Sequence, residues 1–399
     1  MRSAASFLLD RARDVSLSAA VAGFVAVLVG FASSAVIVFE AARASGAGPR
    51  EIASWMWALG LGCGLTGIGL SLRYRQPVVT AWSTPGAALL AAGASGLTMP
   101  EAIGAFLVSA VLIVLCGVTR AFERAMSRIP VSLASGMLAG VLLRFGLDLF
   151  VAMTAQFWLV LAMFAAYLLG RRRWPRYAVP LALLAGVAVA AARGLLHTGA
   201  LRLEFATPVW TTPVFTWDAV MGVAIPLFVV TMASQNVPGV ATLRAAGYDA
   251  PISPLITWTG LATLALAPFG GFAVNLAAIT AAICMGREAH EDPGRRYMAA
   301  VAAGACYLLL GMFGATVGAL LGAFPRELVL ALAGLALLNT IGGGLAAALR
   351  DEAAREPALI TFLITASGAS LFGIGSAFWG LVGGVAAMLA LRGGRPARP

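Results

Sequence analysis

Charged residues are scarce in this sequence, and lysine does not occur in it at all. Only 11% of the 399 residues are charged, whereas 60% are hydrophobic and the mean hydropathy is +0.92. An ordinary soluble domain carries roughly 25% charged residues. The scarcity of charge therefore excludes a soluble globular protein and predicts an integral membrane protein. No polar stretch is long enough to form a second, soluble domain.

Histidine and cysteine are too few and too scattered to build a metal or catalytic site. The two histidines, His197 and His290, lie among loop-like residues. The four cysteines fall inside apolar runs, and no two of them have the spacing of metal ligands or of a disulfide framework. We therefore expect no cofactor and no bound metal, and we interpret the cysteines as small packing residues. These cysteines are Cys63, Cys116, Cys284 and Cys306.

Signatures of enzymes and of nucleic-acid-binding proteins are also missing. The sequence has no phosphate-binding G-x-x-x-x-G-K, no H-E-x-x-H and no nucleophile elbow between a strand and a helix. The net charge of +10 comes from arginines in short clusters between apolar runs, without the interleaved aromatic residues that stack on bases. We therefore expect neither an enzyme nor a nucleic-acid-binding protein.

What the sequence does contain is a series of apolar runs near the roughly 20-residue length of a bilayer-spanning helix. Clusters of proline, glycine and arginine divide these runs into about fourteen segments, seven in each half of the chain. The predicted segments are approximately 15–43, 51–71, 76–96, 99–119, 129–149, 151–170, 176–196, 217–243, 253–268, 269–286, 296–322, 326–349, 357–372 and 374–391.

The arginines are distributed unevenly between the two sides of the membrane. If the amino terminus is cytoplasmic, 21 of the 27 arginines lie in cytoplasmic loops or tails, five lie outside, and Arg144 lies within a segment. This bias matches the positive-inside rule. We therefore predict a multi-pass protein of a bacterial inner membrane with both termini in the cytoplasm. A count of twelve crossings, with one interrupted segment left out of each half, preserves the same bias and stays open.

Seven segments in each half predict two repeats of inverted topology in an all-α membrane protein. Because seven is odd, the second half, residues 201–399, enters the membrane from the opposite face to the first half, residues 1–200. The third segment of each half is interrupted in the same way, since residues 77–86 and 268–275 contain proline and glycine and each is followed by an apolar run. We predict an extended stretch followed by a half-helix in segments 3 and 10.

The starts of these two half-helices are the predicted substrate site. Thr84 followed by Pro85 is a typical helix start, with a Thr84 hydroxyl able to cap the helix and proline favoured at the first helical position. Asn275 before an apolar run is the matching signal in the second half. If both helices begin near mid-membrane, their N–H groups and positive dipole ends attract a carboxylate. Trp82 and Phe272 flank the two starts and are placed to sandwich an aromatic ring. The alternatives are a proline kink and ordinary packing.

Further polar side chains complete the predicted site. Ser234, Gln235 and Asn236 lie near the end of an apolar run, where adjacent polar residues are costly unless they face partners or a cavity. We expect Gln235 or Asn236 to donate hydrogen bonds to the substrate, with interhelical hydrogen bonding as the alternative. The predicted substrate-binding residues are Trp82, Ser83, Thr84, Ser234, Gln235, Asn236, Phe272 and Asn275.

Charged residues inside the segments are few. Glu40 lies near the outer end of the first segment and is either a buried proton site or a solvated helix terminus. Arg144 and Asp148 are four residues apart, so on a helix they share a face and form an ion pair. We take Glu40 and Asp148 as the candidates for proton coupling. No pair of carboxylates deep in the membrane predicts a proton relay.

Four stretches of the sequence resemble the benzoate:proton symporter (BenE) family, and the resemblance extends over essentially the whole chain. It implies proton-coupled uptake of benzoate. More distantly, the arrangement resembles the seven-plus-seven fold of nucleobase and sulfate-type transporters. That fold implies a core domain of segments 1–4 and 8–11, a gate domain of segments 5–7 and 12–14, and a homodimer formed through the gate domain. The four stretches are AWSTPG (81–86), IP through MLAGVLLRFG (129–146), MASQNVPG (232–239) and PFGGFAVN (268–275).

Two positions separate this sequence from the nucleobase carriers of that fold. In those carriers, acidic residues in the eighth and tenth segments hold the base, whereas the corresponding residues here are Ser234 and Val274. The lack of charge argues against a nucleobase and fits an anion, because a carboxylate at either position would repel it. The lack of an acidic residue at these positions also means that the obvious proton carrier is missing.

These observations predict a secondary transporter that takes up benzoate or a related aromatic carboxylate together with protons by alternating access. Its partners are the small aromatic carboxylate, protons and the lipid bilayer, with no nucleic acid. Two rivals stay open. One is an uncoupled organic-anion channel or uniporter that uses the same site, and the other is a carrier of another small anion.

Overall fold

The chain is almost entirely helical in a computed structural model that describes residues 14–93, 97–126, 129–196, 205–322, 324–369, 371 and 376–392. Both chain ends, predicted to be cytoplasmic, and part of the connection between the two halves lie outside these ranges. The elements in chain order are α1 Leu17–Ala44, α2 Pro49–Tyr74, β1 Thr80–Trp82, α3 Thr84–Gly93, α4 Met99–Val118, α5 Ala121–Met126, α6 Val131–Ala155, α7 Phe157–Arg173, α8 Ala178–Ala192, α9 Trp217–Ala245, α10 Ile252–Leu266, β2 Val274–Leu276, α11 Ile279–Met285, α12 Tyr297–Gly322, α13 Arg326–Ala348, α14 Arg355–Ala366 and α15 Ser376–Arg392.

Seven helices among the described residues are long and apolar enough to cross a membrane. The remaining predicted segments contain shorter helices or combine a strand with a short helix, so the count of fourteen crossings stays a prediction. The chain is nevertheless a polytopic membrane protein. The seven spans are Pro49–Tyr74, Met99–Val118, Val131–Ala155, Trp217–Ala245, Ile252–Phe269, Pro293–Phe313 and Arg326–Ala348.

Local capping residues determine where several helices begin. The hydroxyl of Ser16 accepts a hydrogen bond from the N–H of Ala19 at 3.2 Å at the start of α1. Thr98 and Glu101 form a reciprocal capping box at the start of α4. These contacts satisfy N–H groups that have no acceptor inside the helix, and they explain why the apolar runs become helical at these points.

The two interrupted segments meet as a pair of antiparallel strands. Strand β1 precedes α3 and strand β2 precedes α11, so an extended stretch followed by a short helix occurs in both halves, as the sequence predicts. Ala81 lies opposite Asn275, and Trp82 lies opposite Val274. The pairing brings the starts of the two short helices to one place. It is extended by hydrogen bonds from Ser83 N–H to Ala273 O at 3.1 Å and from Ala277 N–H to Val79 O at 2.9 Å.

Side chains satisfy the outer edge of strand β2. The N–H of Val274 donates to Thr263 Oγ1 at 3.0 Å, and the N–H of Leu276 donates to Asn236 Oδ1 at 3.0 Å. All four residues are buried. An unpaired sheet edge is not tolerated inside a membrane, because no water is present to bond its N–H groups. By accepting these two N–H groups, Thr263 and Asn236 make the two-stranded element compatible with a position inside a membrane.

Two details of the predicted helix starts are wrong. The residue that caps α3 is Ser83, whose Oγ accepts the N–H of Gly86 at 3.0 Å, and Thr84 is the first helical residue. Helix α11 begins at Ile279 and not directly after Asn275. The physical reason is that Asn275 uses its backbone to pair with β1, which keeps it extended and delays the helix.

Helix α9 contains two widened turns that the sequence analysis did not predict. Residues Val220–Ala224 and Met232–Asn236 are π-helical, and each turn ends two residues before a proline, Pro226 or Pro238. Proline has no N–H, and its ring clashes with the carbonyl four residues earlier, so a wider turn relieves the conflict. The second widened turn carries the three adjacent polar residues of the predicted site.

The helices pack mainly within two groups. In the first group, α1 and α2 pack on α12, α1 packs on α3, and α4 packs on α10. In the second group, α6 packs on α13 and α14, α7 packs on α8, and α14 packs on α15. Contacts of α1 with α8 and α13, and of α9 with α6, join the two groups. We refer to α1–α4 with α9–α12 as the first group and to α6–α8 with α13–α15 as the second group.

Glycines allow α2 and α12 to cross closely within the first group. A Cβ atom on Gly60 would lie 2.6 Å from the Cα of Gly311, and one on Gly64 would lie 2.8 Å from the carbonyl oxygen of Gly304. Gly60 and Gly64 are one turn apart, as in the small-residue motifs by which membrane helices approach each other.

We expect Gly60→Ala to destabilise the protein by about 1–3 kcal/mol, because the added methyl group overlaps backbone atoms that can only separate if the helices do. Gly69→Ala, on the same helix, is the matched control, since a Cβ there meets nothing within 4 Å. Thermal unfolding of the two variants in detergent measures the difference. Equal unfolding temperatures would contradict the close crossing.

We expect Asn236→Ala to destabilise the protein by about 1–3 kcal/mol, because it leaves the buried N–H of Leu276 without an acceptor. Thermal unfolding measures the loss. Gln235→Ala serves as the control, since Gln235 has no role in the strand edge. A larger effect of Gln235→Ala than of Asn236→Ala would show that the strand edge does not depend on Asn236.

Candidate functional site

A cavity of about 380 Å³ lies where the two extended stretches turn into helices. Residues at the starts of α3 and α11 line it, together with residues of α1, α6, α9, α12 and α15. Of the eight substrate-binding residues predicted from the sequence, four line this cavity, namely Trp82, Thr84, Ser234 and Gln235. The other four lie behind its wall.

Trp82 is held in place by a hydrogen bond and by an aromatic neighbour. Its indole N–H donates to Ser34 Oγ at 2.9 Å, and the Ser34 hydroxyl donates to the carbonyl of Gly30 at 2.7 Å. The ring of Tyr307 meets the Trp82 ring edge-on, with centroids 5.6 Å apart. Because the N–H is engaged by Ser34, Trp82 offers the cavity its ring rather than a hydrogen-bond donor.

The start of α3 offers the cavity few donors. Thr84 and Pro85 line the cavity, whereas Ser83 is fully buried and caps the helix. Proline has no N–H, and Ser83 accepts the N–H of Gly86. In the first turn of α3, the N–H and the hydroxyl of Thr84 are therefore the donors that remain for a ligand.

The start of α11 contributes a hydroxyl group that the sequence analysis missed. Ile279 and Thr280 line the cavity, and the Thr280 side chain is only 6% exposed. No described residue forms a hydrogen bond with the Thr280 hydroxyl. Since α11 is only seven residues long, its dipole is small, and the hydroxyl is the stronger feature here. In the sequence, the signal for this group was one hydroxyl residue, Thr280, in the apolar run that follows the second interruption at residues 268–275.

The polar residues of the π-helical turn of α9 point to different places. Ser234 and Gln235 are partly exposed and line the cavity. Asn236 is fully buried, its Oδ1 accepts the N–H of Leu276, and its Nδ2 lies 3.2 Å from the sulfur of Met232. The side chain of Asn236 is thus engaged by the protein itself, whereas Gln235 is available to a ligand.

Phe272 and Asn275 lie behind the cavity wall. Phe272 is fully buried against Trp55 and Phe106, with ring centroids 5.6 and 5.7 Å away. Asn275 is fully buried, and its Nδ2 donates to the carbonyl of Ala273 at 2.8 Å. Phe272 therefore packs in the protein core and does not face Trp82 across the cavity. The reason is that Gly270, with φ of 93°, turns the chain toward Trp55 before β2 begins.

The rest of the cavity wall is mainly apolar, although Ser34, Tyr307 and Ser376 also belong to it. Val29, Val141, Phe145 and Ala377 belong to it, and no described residue that lines it carries a formal charge. No group of three or more histidine, cysteine, aspartate or glutamate side chains among the described residues is placed to hold a metal ion. Any electrostatic attraction for an anion must therefore come from hydroxyl, amide and backbone N–H groups.

The two candidates for proton coupling lie away from the cavity. Glu40 is 56% exposed and forms an ion pair with Arg43 at 3.0 Å. Asp148 is 32% exposed and lies 4.0 Å from Arg144, whose side chain is 85% exposed. Neither carboxylate is among the residues that line the cavity. Their surroundings are those of partly solvated ion pairs.

A larger depression of about 810 Å³ lies between α2 and α10. Leu65, Leu70, Trp258 and Leu261 are typical of its lining, which is mainly apolar. It lies on the outer face of the helix bundle, and Leu65 and Trp258 are exposed there. Such a surface suits lipid chains, whereas the smaller cavity has the convergent polar groups that a specific ligand site requires.

The smaller cavity can hold a small molecule with one polar and one apolar end. Thr84, Gln235 and Thr280 supply hydrogen-bond donors, and Val141 and Phe145 supply apolar contacts. The donors carry no charge, and the site holds no nucleophile paired with a base. The arrangement is therefore suited to reversible binding and not to catalysis.

Two solved structures are similar to this chain over most of its length. SLC26A9 aligns with a TM-score of 0.48 and 12% sequence identity, covering 94% of this chain and 65% of that chain. The transmembrane domain of the cyanobacterial bicarbonate transporter BicA aligns with a TM-score of 0.46 and 14% identity, covering 95% of this chain and 97% of that chain.

Two curated proteins are similar in sequence. The inner membrane protein YdcO of Escherichia coli (strain K12) is 52% identical over 363 residues, which covers 91% of this chain and 93% of YdcO. The benzoate membrane transport protein of Acinetobacter baylyi (strain ATCC 33305 / BD413 / ADP1) is 41% identical over 379 residues, which covers 95% of this chain and 96% of that protein.

The family model described as "Benzoate membrane transport protein" (BenE) matches residues 13–390, which is almost the whole chain. This family consists of membrane transport proteins and not of enzymes, in agreement with the lack of catalytic motifs. The resemblance seen in the sequence is confirmed. The chain belongs to the BenE family of benzoate membrane transport proteins.

Proposed function

We propose that this protein is a secondary active transporter that takes up benzoate or a related aromatic carboxylate together with protons by alternating access. The observation that carries the proposal is the cavity at the paired strands, which has uncharged donors at the helix starts and apolar walls elsewhere. The name of the Acinetobacter baylyi relative supports benzoate as the substrate.

The carboxylate of the substrate binds at the two helix starts. Thr84 offers its N–H and hydroxyl, Thr280 offers a hydroxyl that has no partner among the described residues, and Gln235 offers its amide. Helix starts attract anions because their N–H groups lack acceptors. Uncharged donors bind an anion through hydrogen bonds and do not neutralise its charge. The anion can therefore be released on the other side of the membrane.

The aromatic ring of the substrate lies against Trp82 and the apolar wall formed by Val141 and Phe145. Edge-to-face and offset contacts between aromatic rings are worth about 0.5–1.5 kcal/mol beyond the area that they bury. Apolar walls discriminate weakly between rings that differ by a small substituent. We therefore propose a class of aromatic carboxylates as substrates, with benzoate as the leading member.

The cavity lies between the two groups of helices, which correspond to the proposed core and gate domains. Trp82, Thr84 and Thr280 belong to the first group, and Val141 and Phe145 belong to the second. Movement of one group against the other would open the cavity to either side.

We propose that the chain crosses the membrane fourteen times in two inverted repeats and forms a homodimer through the second group. We also propose an inner-membrane location with both termini in the cytoplasm. The name of the YdcO relative supports this location.

The rival that a specific observation favours is an uncoupled uniporter or channel. No carboxylate or histidine is among the described residues that line the cavity, and Glu40 and Asp148 lie in partly exposed ion pairs. Proton coupling therefore depends on the family resemblance and on a carboxylate outside the cavity, and Glu40 and Asp148 stay predictions. A carrier of another small anion is the second rival.

Uptake of labelled benzoate into proteoliposomes tests the proposal directly. We expect an inward proton gradient to raise the initial rate of protein-dependent benzoate uptake, because each proton that enters with the anion adds its own driving force. Protein-free liposomes at the same gradient correct for diffusion of neutral benzoic acid. Protein-dependent uptake that does not respond to the gradient would favour the uniporter. No protein-dependent benzoate uptake, with uptake of another anion, would favour the second rival.

We expect Thr280→Val to raise the KM for benzoate by about tenfold, because a hydrogen bond to a charged group contributes roughly 1.5–3 kcal/mol and tenfold corresponds to about 1.4 kcal/mol. Thr280→Ser, which keeps the hydroxyl, should retain a KM near that of the wild type. Since no described residue bonds to this hydroxyl, the valine variant should unfold at the same temperature as the wild type or higher. An unchanged KM in Thr280→Val would exclude Thr280 from the site.

A further inference from the structure

A buried glutamate outside the cavity joins the two groups of helices. Glu288 lies in the loop after α11, in the first group, and its Oε1 accepts a hydrogen bond from Nη1 of Arg171 at 2.9 Å. Arg171 lies in the last turn of α7, in the second group. The Glu288 side chain is 4% exposed and that of Arg171 is 36% exposed. The contact is thus an ion pair between the groups with a deeply buried carboxylate.

Half of the Glu288 carboxylate is unsatisfied. No described residue forms a hydrogen bond with its Oε2, although this atom is buried. Burial raises the pKa of Glu288 above its ordinary value, although a hydrogen bond from its own backbone and the charges of Arg171, Arg296 and Arg287 oppose this shift. Tyr167 of α7 is the further titratable group that interacts with it. Glu288 therefore accepts a proton more readily than a solvated glutamate does, because the buried charged form is poorly solvated.

Glu288 is linked rigidly to the substrate side of the protein. Arg296 donates from Nη1 to the carbonyl of Met285 at 2.9 Å and from Nε to the carbonyl of His290 at 2.7 Å. These bonds tie the loop that carries Glu288 to the end of α11, whose first turn carries Thr280. A displacement of α11 relative to α7 would therefore be transmitted to Glu288 and to its contact with Arg171.

A cleft borders the ion pair on the side of Arg171. This cleft, of about 430 Å³, is lined by Arg171, Pro175, Arg287 and Glu291. On the other side, Glu288 lies near Ser18 of α1, Val179 of α8 and Ala336 of α13, so helices of both groups enclose it. A proton can arrive through the cleft, whereas the carboxylate itself stays between the two groups.

We propose that Glu288 is a proton-binding site and that its ion pair with Arg171 is a latch between the two helix groups, which a proton on Glu288 releases. Ionised Glu288 attracts Arg171 and holds the groups together. Protonated Glu288 loses this attraction, and Arg171 is then solvated in the cleft. The proposal rests on the proposed function in one respect, since it assumes that transport requires the two groups to separate at this contact.

Exchange of labelled against unlabelled benzoate at equal pH on both sides of proteoliposomes tests the latch. We expect the wild-type exchange rate to rise about threefold as the pH falls through the pKa of Glu288, because Arg171 is partly exposed and solvent weakens its attraction to Glu288. Glu288→Gln, which is always neutral, should exchange at the fast rate over the whole pH range. Arg171→Gln should lose the pH step in the same way.

Arg172→Gln is the matched control, because it removes the same charge from the neighbouring, exposed position. It should keep the wild-type pH step. A pH step that persists unchanged in Glu288→Gln would overturn the proposal. A wild-type protein that exchanges no aromatic carboxylate would refute the proposed function instead, and the latch is then tested without transport.

Thermal unfolding against pH supplies that independent test. Because the pKa of Glu288 is raised in the native state, Glu288 contributes stability below its ordinary pKa, and this contribution is lost as the pH rises through the raised value. The unfolding temperature of the wild type relative to Glu288→Gln should therefore fall as the pH rises above the ordinary pKa of a glutamate. A difference that does not change with pH above that value would show that Glu288 has no raised pKa in the native state, and would overturn the proposal.

Discussion

The antiparallel pairing of residues 80–82 with residues 274–276 is the constraint on which the rest of the structure depends. Two extended stretches at membrane depth would each expose N–H and C=O groups that lipid cannot bond. Pairing satisfies them on one side, and Thr263 and Asn236 satisfy the N–H groups of Val274 and Leu276 on the other. Because the pairing is antiparallel, the two short helices begin next to each other. The cavity and its donors follow from this arrangement.

The cavity combines a polar end without charge and an apolar wall from the second helix group. A fixed positive side chain would bind an anion more strongly. The anion would then be harder to release in each transport cycle. Hydroxyl and backbone donors, together with the short dipole of α3, attract an anion more weakly. Charge instead appears where the two groups meet, at Arg171 and Glu288. The proposed substrate site and the electrostatic contact between the groups are thus located in different parts of the molecule.

Much of this organisation could be predicted from the sequence. Apolar runs and arginine clusters indicate the membrane helices, and Pro85 with the glycines at 270–271 indicates the interruptions. The strand pairing could not be predicted, because it joins residues almost 200 positions apart and no local pattern encodes its register. For the same reason, the sequence predicts Asn236 as a substrate ligand, whereas its amide oxygen accepts the N–H of Leu276 in β2. Glu288 was missed because a loop carboxylate beside arginines resembles a solvated charge, and only the packing of helices from both groups buries it.

The most direct test of the central claim is a structure of the protein with bound 4-bromobenzoate, whose bromine can be located by anomalous scattering. The account predicts that the carboxylate lies within hydrogen-bond distance of Thr84 and Thr280, with the bromine directed toward Val141 and Phe145. A bromine position in the apolar depression between α2 and α10, or a carboxylate that contacts neither threonine, would contradict it.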